Sequence, residues 1–193
     1  SRWYLAEGAT PSGFDTWLLL FNPQQERANV TVSVDSQGSE LAPIDMAMEP
    51  MSRTTLHLNE VLPGRDLSMR VDSDVPVVAS RSMYWAVPGG RAGHECHGLT
   101  APAAESFLPE GCTAFGFDTW LLLYNPGDTD TTATVYAVTD EGEQEIGKVD
   151  VPAHTRSTMK VNDCYQGSLS LRVASGEPLC CERATYWEGR SGG

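Results

Sequence analysis

The pattern of apolar and polar positions along the chain predicts many short β-strands and almost no helix. Runs rich in β-branched or aromatic residues are separated by turn-forming pairs such as Asn22-Pro23 and Pro63-Gly64. No segment keeps an apolar period of 3.6 residues, and only Leu58–Leu62 suggests a single helical turn. The strands predicted for the first half of the chain are Trp3–Glu7, Thr16–Asn22, Ala28–Asp35, Ile44–Met48, Arg53–Leu58, Leu67–Ser73 and Val77–Trp85.

The second half of the chain repeats the first. Residues 14–23 read FDTWLLLFNP and residues 117–126, which lie 103 positions later, read FDTWLLLYNP, so nine of ten positions are identical. After a one-residue slip in the offset, Leu67–Val71 matches Leu169–Val173. Identity at a fixed period is typical of repeat architectures. The 193 residues are therefore two copies of one sequence of about 95 residues, a usual size for a small domain.

The strand count and spacing predict an all-β protein of two tandem immunoglobulin-like or fibronectin-like β-sandwich domains, with a barrel as the fallback. We expect the first domain at residues 1–88 and the second at residues 105–193. Residues 89–104 are rich in Gly, Pro and Ala and are predicted to be a linker. The second copy stops where a further linker would begin, so we expect either a finished protein or a slice of a longer array.

The repeated strand TWLLLF is apolar on both faces. Leu18 and Leu20 point to one face of the strand, because side chains alternate. The opposite face carries Trp17, Leu19 and Phe21 in the first copy and Trp120, Leu122 and Tyr124 in the second. Three interpretations remain open: a loop or the N-terminal strand of the same domain covers this face, a neighbouring module or subunit covers it, or it is an aromatic platform for a ligand.

The charge of the chain excludes two classes of partner. Acidic residues number 26 and basic residues 13, which gives a formal charge of −13. A surface this acidic repels nucleic-acid phosphates and anionic lipid. No apolar run approaches the ~20 residues that span a bilayer, so we expect no insertion into a membrane. The 40% of hydrophobic residues is usual for a globular protein.

The sequence contains no motif of catalysis. There is no GxSxG elbow, no glycine-rich phosphate loop and no HExxH. We therefore expect a protein that is not an enzyme and has no catalytic residues. Asp15 and Asp118 recur with the whole FDTW motif, and the expected role of each is a hydrogen bond to backbone at a turn or strand end.

Metal binding is a weaker possibility, at residues 94–97, which read HECH. His94, Cys96 and His97 carry side chains of the types that bind transition metals. Their spacing is cramped, and no second pair completes a tetrahedral site. Calcium is another option at Asp72-Ser73-Asp74 and Asp128-Thr129-Asp130, although no EF-hand loop occurs. The expectation is a protein without a cofactor.

The cysteines favour an oxidising compartment. Their number is odd, and they all lie in the predicted linker or the second copy, at Cys96, Cys112, Cys164, Cys180 and Cys181. We predict that Cys164 pairs with Cys180 or Cys181 and that Cys96 pairs with Cys112, each bridge worth about 3 kcal/mol. The fifth cysteine would be a buried free thiol or a link to another subunit.

Three motifs resemble a tandem repeat of bacterial secreted and cell-surface proteins that carries WYLAEG, GFDTWLLLxNP and SRxMYW. In the first copy they are Trp3–Gly8, Gly13–Pro23 and Arg81–Trp85; in the second they are Phe107–Gly111, Gly116–Pro126 and Arg183–Trp187. The second copy departs at its first motif, where SFLPEG replaces WYLAEG. The resemblance implies immunoglobulin-like modules in tandem, an extracellular or surface location, and a structural or adhesive role.

The leading hypothesis is a structural protein whose modules stack end to end in a stalk, sheath or filament. Its partners would be copies of itself or neighbouring modules, joined through the aromatic face and through a strand donated to a neighbouring sheet edge. The donated strand is predicted at Arg2–Glu7, which comprises Arg2, Trp3, Tyr4, Leu5, Ala6 and Glu7. The alternative is a carbohydrate-binding adhesion module, in which Trp17, Trp85, Trp120 and Trp187 would stack on sugar rings.

Overall fold

The chain is all-β and contains several antiparallel sheets. The structure is a computed structural model, and it describes residues 1–36, 39–87 and 89–187. The chain divides into two compact units, Ser1–Ala101 and Pro102–Gly193. No helix among the described residues is both long enough and apolar enough to cross a membrane.

The described part of the first unit contains nine strands and one helical turn. The strands are β1 (Arg2–Leu5), β2 (Phe14–Asn22), β3 (Ala28–Ser36), β4 (Ser39–Glu40), β5 (Ile44–Met48), β6 (Ser52–His57), β7 (Ser68–Ser73), β8 (Val78–Val87) and β9 (Gly90–His97), and the turn is α1 (Leu58–Val61). All seven predicted strands are present, and no end differs from its prediction by more than two residues. The pattern of β-branched runs and turn residues therefore located the strands correctly.

Two antiparallel sheets enclose the core of the first unit in a β-sandwich-like arrangement. One sheet has the order β1-β7-β3, with β4 and β5 both paired to β3, and the other has the order β6-β2-β8-β9. Leu18 and Leu20 of β2 are fully buried, and so are Val32 of β3 and Val71 of β7. Alternation along each strand places these apolar residues on the inner faces.

The second unit follows the element order of the first, with fewer and longer strands among the described residues. Its strands are β10 (Ala103–Cys112), β11 (Phe117–Asn125), β12 (Thr131–Thr139), β13 (Gly142–Val151), β14 (Thr155–Lys160) and β15 (Ser168–Trp187), and a 3₁₀ turn spans Val161–Asp163. β15 is continuous and corresponds to β7 and β8 together. Its first part pairs with β10 and β12, and its second part pairs with β11, which also pairs with β14. The core includes Leu121, Leu123 and Val135.

The predicted linker at residues 89–104 is wrong for most of its length. Gly90–His97 forms β9, which pairs with β8 from Val87↔Gly90 to Ser80↔His97. The glycines that suggested a linker have another use, because a Cβ at Gly93 would lie only 2.4 Å from Cδ1 of Tyr84. Glycine here permits a close approach of two strands. Leu99 then exchanges two backbone hydrogen bonds with Tyr4, each 2.8 Å long.

The segment predicted for donation, Arg2–Glu7, lies in its own unit instead. Its first four residues form β1, which pairs with β7 from Arg2↔Asp72 to Leu5↔Met69. The indole nitrogen of Trp3 donates a hydrogen bond to the carbonyl oxygen of Val77, at 2.7 Å. These contacts hold the segment within its own unit, and its donation to a neighbouring sheet edge stays a prediction.

Candidate functional site

The repeated polar residues of the FDTW and NP motifs hold the backbone. Asn22 is fully buried, and its amide donates to the carbonyl oxygens of Glu26 and Glu49 at 2.8 and 3.0 Å. Asn125 donates in the same way to Thr129 and Val151, at 2.8 and 3.0 Å. Buried amides must be satisfied, and these are. The two asparagines therefore have a structural role in each unit.

A second repeated network joins the start of β2, or of β11, to the helical turn. The side-chain oxygen of Asn59 accepts from the backbone amide of Thr16 at 2.8 Å, and its amide donates to the carbonyl oxygen of Phe14 at 2.7 Å. Asn162 makes the equivalent bonds to Thr119 and Phe117, at 2.9 and 2.8 Å. The two copies thus preserve a scaffold of side-chain-to-backbone bonds.

Asp15 belongs to a cluster of charged and aromatic side chains on the outer face of the first unit. Its carboxylate lies 2.5 Å from Nε2 of His57 and accepts a hydrogen bond from Arg91 at 2.6 Å. The imidazole of His57 stacks on Trp17, with ring centroids 4.1 Å apart and planes 10° apart. Nδ1 of His57 also lies 3.1 Å from Glu60. The predicted backbone role of Asp15 is replaced by pairing with cationic side chains.

The contacts of this cluster shift two pKa values in opposite directions. The hydrogen bond from Arg91 is the main reason that the pKa of Asp15 lies below its ordinary value, and His57 adds to the effect. The hydrogen bond with Glu60, followed by the one with Asp15, raises the pKa of His57 above its ordinary value. The cluster therefore favours a charged histidine beside a charged aspartate.

The second unit repeats this arrangement with a lysine. Lys160 occupies the position of His57, and its Nζ lies 3.1 Å from Asp118 and 5.4 Å from the ring centroid of Trp120. A cation beside an aromatic ring and a carboxylate is therefore common to both copies. Asp118, like Asp15, pairs with a side chain.

The most buried ionic cluster lies at one lateral edge of the first sandwich, and we call it the seam cluster. It comprises Glu7, Arg81 and His94. Nη2 of Arg81 lies 2.9 Å from Oε2 of Glu7, and these side chains are 1% and 6% exposed. Nε2 of His94 on β9 lies 3.2 Å from the same oxygen and 3.1 Å from Nη1 of Arg81. Such a desolvated pair depends on its complete set of partners.

Of the equivalent residues in the second unit, Glu110 is exposed and Arg183 is only partly buried. Glu110 and Arg183 lie 3.8 Å apart, and their side chains are 82% and 26% exposed. The described part of this unit, residues 102–187, contains no strand equivalent to β9. Phe107 is 67% exposed, whereas its counterpart Tyr4 is 7% exposed in the first unit.

The predicted assembly face differs between the two units. In the first unit, Trp17 and Leu19 are partly buried, and Phe21 is 39% exposed. In the second unit, Trp120 is partly buried, whereas Leu122 and Tyr124 are buried.

The four tryptophans predicted for sugar stacking each have a neighbour against the ring. His57 covers Trp17, and His94 meets Trp85 edge-on at 5.5 Å. Trp187 stacks on Phe117 at 5.4 Å, and Lys160 lies over Trp120. Carbohydrate binding stays an untested prediction.

The three residues of the predicted metal site do not converge. Alternation along β9 places His94 and Cys96 on the inner face, towards Arg81, and places Glu95 and His97 on the outer face. His94 is engaged in the seam cluster instead. Among the described residues, no group of three or more His, Cys, Asp or Glu side chains could hold a metal ion.

The predicted disulfides are absent, since none of the five cysteines forms a disulfide bond. Cys164 follows the 3₁₀ turn at the surface, whereas Cys180 and Cys181 are buried on opposite faces of β15. The predicted disulfide from Cys164 to Cys180 or Cys181 is therefore wrong, because it would join a surface residue to a buried one. Cys96 and Cys112, the other predicted pair, are half-buried and are not bonded to each other. Burial raises the pKa of Cys181 to about 11 and that of Cys180 further, so both are neutral thiols at pH 7.

Sequence reasoning missed the seam cluster, although its signal is present. Glu7 lies in the first repeated motif and Arg81 in the third, and both recur in the second copy as Glu110 and Arg183. A recurring pair of opposite charges could have indicated an ion pair. His94 has no counterpart among the described residues of the second copy, which gave no reason to group it with the other two.

Comparisons with known proteins define no family for this chain. No protein-family model matches it, and no curated protein matches it. Among solved structures, Thermotoga maritima 1070 is 19% identical with a TM-score of 0.48, over 52% of this chain and 93% of its own. The Anabaena sensory rhodopsin transducer is also 19% identical, with a TM-score of 0.38 over 42% and 85% of the two chains. The Streptomyces avermitilis α-L-rhamnosidase, solved with L-rhamnose, is 10% identical, with a TM-score of 0.26 over 97% of this chain and 26% of its own.

Proposed function

We propose that this chain is a non-enzymatic structural protein, outside the cell or on its surface, built from two tandem immunoglobulin-like modules. The modules would associate with copies of the same chain in a stalk, sheath or filament. Support comes from the repeated residues, because Asn22 and Asn125, and likewise Asn59 and Asn162, are used for the same backbone contacts. A repeat that keeps its scaffold and varies its surface suits modular assembly.

The observation that carries the proposal is an apolar strip on the outer face of the first unit. Phe21 of β2 and Val78 of β8 are direct cross-strand neighbours, and each is 39% exposed. Leu19 continues the strip along β2. Adjacent exposed apolar side chains on a sheet favour contact with another protein surface.

The second unit supplies the argument for a copy of the chain as the partner. There the counterparts of Leu19, Phe21 and Val78 are Leu122, Tyr124 and Cys180, which are 3%, 1% and 0% exposed. The same repeated face is therefore compatible with full burial. Association of identical chains through one repeated surface is the usual basis of homo-oligomers.

Sedimentation velocity over a wide range of protein concentration tests the proposal. We expect the wild-type chain to form larger species as concentration rises and Val78→Glu to shift that association by about tenfold or more in concentration. Val61→Glu is the matched control, because Val61 is 51% exposed but lies in α1, away from the strip. A chain that stays monomeric at all concentrations, or equal effects of the two variants, would contradict the proposal.

A further inference from the structure

Among the described residues, the two units differ at the lateral edge where β9 lies in the first unit. In the first unit, the chain after β8 returns as β9 and then reaches β1, so that residues 90–99 cross the lateral opening between the two sheets. The inner face of this segment contributes Ala92 and His94. Tyr4, Glu7 and Arg81 become buried beneath it.

The second unit has the receiving side of this arrangement. Its β10 pairs with β15 in the register that β1 has with β7, since Phe107↔Arg172 corresponds to Tyr4↔Arg70. Phe107, Glu110 and Arg183 therefore lie where Tyr4, Glu7 and Arg81 lie, but with large exposed fractions for the first two. We call this surface the open seam.

The polar groups of the open seam indicate the kind of polypeptide strand that it would bind. The backbone amide of Tyr4 donates to Leu99 at 2.8 Å, so the matching amide of Phe107 points outward from β15 and can pair with an incoming strand. Glu110 and Arg183 offer a carboxylate and a guanidinium, the two groups that His94 meets in the first unit. The incoming strand needs a glycine beside the counterpart of Tyr84, because Gly93 lies directly against Tyr84 in the first unit.

We propose that the open seam of the second unit binds an extended polypeptide strand with the chemistry of residues 90–99: small residues, a histidine after a glycine, and an apolar residue five positions after the histidine. Binding occurs by strand addition, with main-chain hydrogen bonds giving affinity and the histidine giving register. This surface is separate from the apolar strip of the first unit, so the inference stands apart from the proposed assembly.

A synthetic peptide of residues 89–101, with Cys96→Ser to prevent oxidation, tests the inference on the full-length chain. The ¹⁵N-labelled protein is titrated with unlabelled peptide, and amide hydrogen exchange is then measured. We expect saturable shifts at Phe107, Glu110 and Arg183, together with slowed exchange of the Phe107 amide. The equivalent residues of the first unit should not change, since β9 already covers them.

Two variant peptides distinguish strand addition at the open seam from non-specific binding. Gly93→Val adds a side chain at a position where the first unit has no space for one, and we expect it to abolish binding. His94→Ala should weaken binding about tenfold through the lost charge-assisted contact. In a Glu110→Gln chain the His94→Ala change should have a smaller effect, because the two groups act as a pair.

Four results would overturn the inference. One is an absence of binding, and another is equal binding of the Gly93→Val peptide. The third is a Phe107 amide that is already protected in the dilute free chain, which would mean that the seam is occupied. The fourth is Phe107 protection that rises with protein concentration alone, which would assign the seam to a second copy of the chain. None of these four outcomes changes the result expected for sedimentation of the Val78→Glu variant, so the two proposals are tested independently.

Discussion

The first unit buries the Glu7–Arg81 pair beneath His94, whereas the second unit leaves Glu110 and Arg183 at the surface. The residues of the pair are the same in both copies, and Arg81 and Arg183 have equivalent registers, opposite Leu18 and Leu121. Among the described residues, β9 covers the pair of the first unit, and no described strand of the second unit takes that position. It shows that one sequence motif can be a core ion pair or a surface one, according to what covers it.

The largest expected effect on stability comes from removing the carboxylate of Glu7 in the first unit, compared with that of Glu110 in the second. Glu7→Gln leaves the buried Arg81 guanidinium without its charged partner, and we expect a loss of about 3–5 kcal/mol in the free energy of unfolding of the first unit. Glu110→Gln breaks an exposed pair and should cost less than about 1 kcal/mol in the second unit. Native-state hydrogen exchange measures each unit separately, and equal costs would refute the distinction between covered and open pairs.

A medium effect is expected where the two units are alike. Asn22→Ala and Asn125→Ala each remove an amide donor from backbone carbonyl groups, three at Asn22 and two at Asn125. Each change should destabilise its own unit by about 1–3 kcal/mol, and the two costs should agree within about 0.5 kcal/mol. The same exchange measurement applies. A clear inequality would mean that the shared scaffold is not equivalent in the two copies.

A smaller effect concerns pH, because His57 in the first unit is replaced by Lys160 in the second. The pKa of His57 is raised in the folded chain, so its contribution to stability is complete below the unfolded value of 6.5 and is lost as pH rises through the folded value. The loss should be less than about 1 kcal/mol, since the site is partly solvated.

The His57→Lys variant is the control for this pH dependence. It should remove the part due to His57 from the first unit, since lysine stays charged across this range. The difference in stability between wild type and variant is followed from pH 5 to pH 9 (an interval of about 4 units around the histidine pKa). A difference that does not change with pH would contradict the assigned role of His57.

The smallest effect concerns a turn that both units share. Met51 and His154 occupy equivalent positions and have φ values of 51° and 55°, in the left-handed region that favours glycine. Met51→Gly and His154→Gly should each stabilise the chain by up to about 1 kcal/mol. Met51→Val should instead destabilise it, because a β-branched residue fits this region poorly. Thermal unfolding compares the three variants, and stabilisation by valine would exclude backbone strain as the cause.

The strands could be predicted from the sequence because their pattern is local. Alternation around Leu18 and Leu20 and turn residues such as Asn22-Pro23 are each encoded within a few positions. The strand β9 was missed because its glycines resemble a linker, and the use of Gly93 is visible only beside Tyr84. That close approach is a tertiary property, which composition does not carry.

The side-chain clusters could be predicted only in part. The asparagines and aspartates were marked by their recurrence, but the partners His57 and Lys160 differ between copies and therefore gave no common signal. The cysteine pairing failed because position in the alignment does not reveal burial, and Cys164 lies at the surface while Cys181 lies in the core.

The amide hydrogens of Tyr4 and Phe107 test the central comparison most directly. Both residues occupy the same register position, but Tyr4 donates to Leu99 whereas Phe107 faces the open seam. Hydrogen exchange on the dilute, unmodified chain should show a strongly protected Tyr4 amide and a Phe107 amide that exchanges at nearly the rate of an unstructured peptide. Equal protection of the two amides would contradict the account of a closed first unit and an open second one.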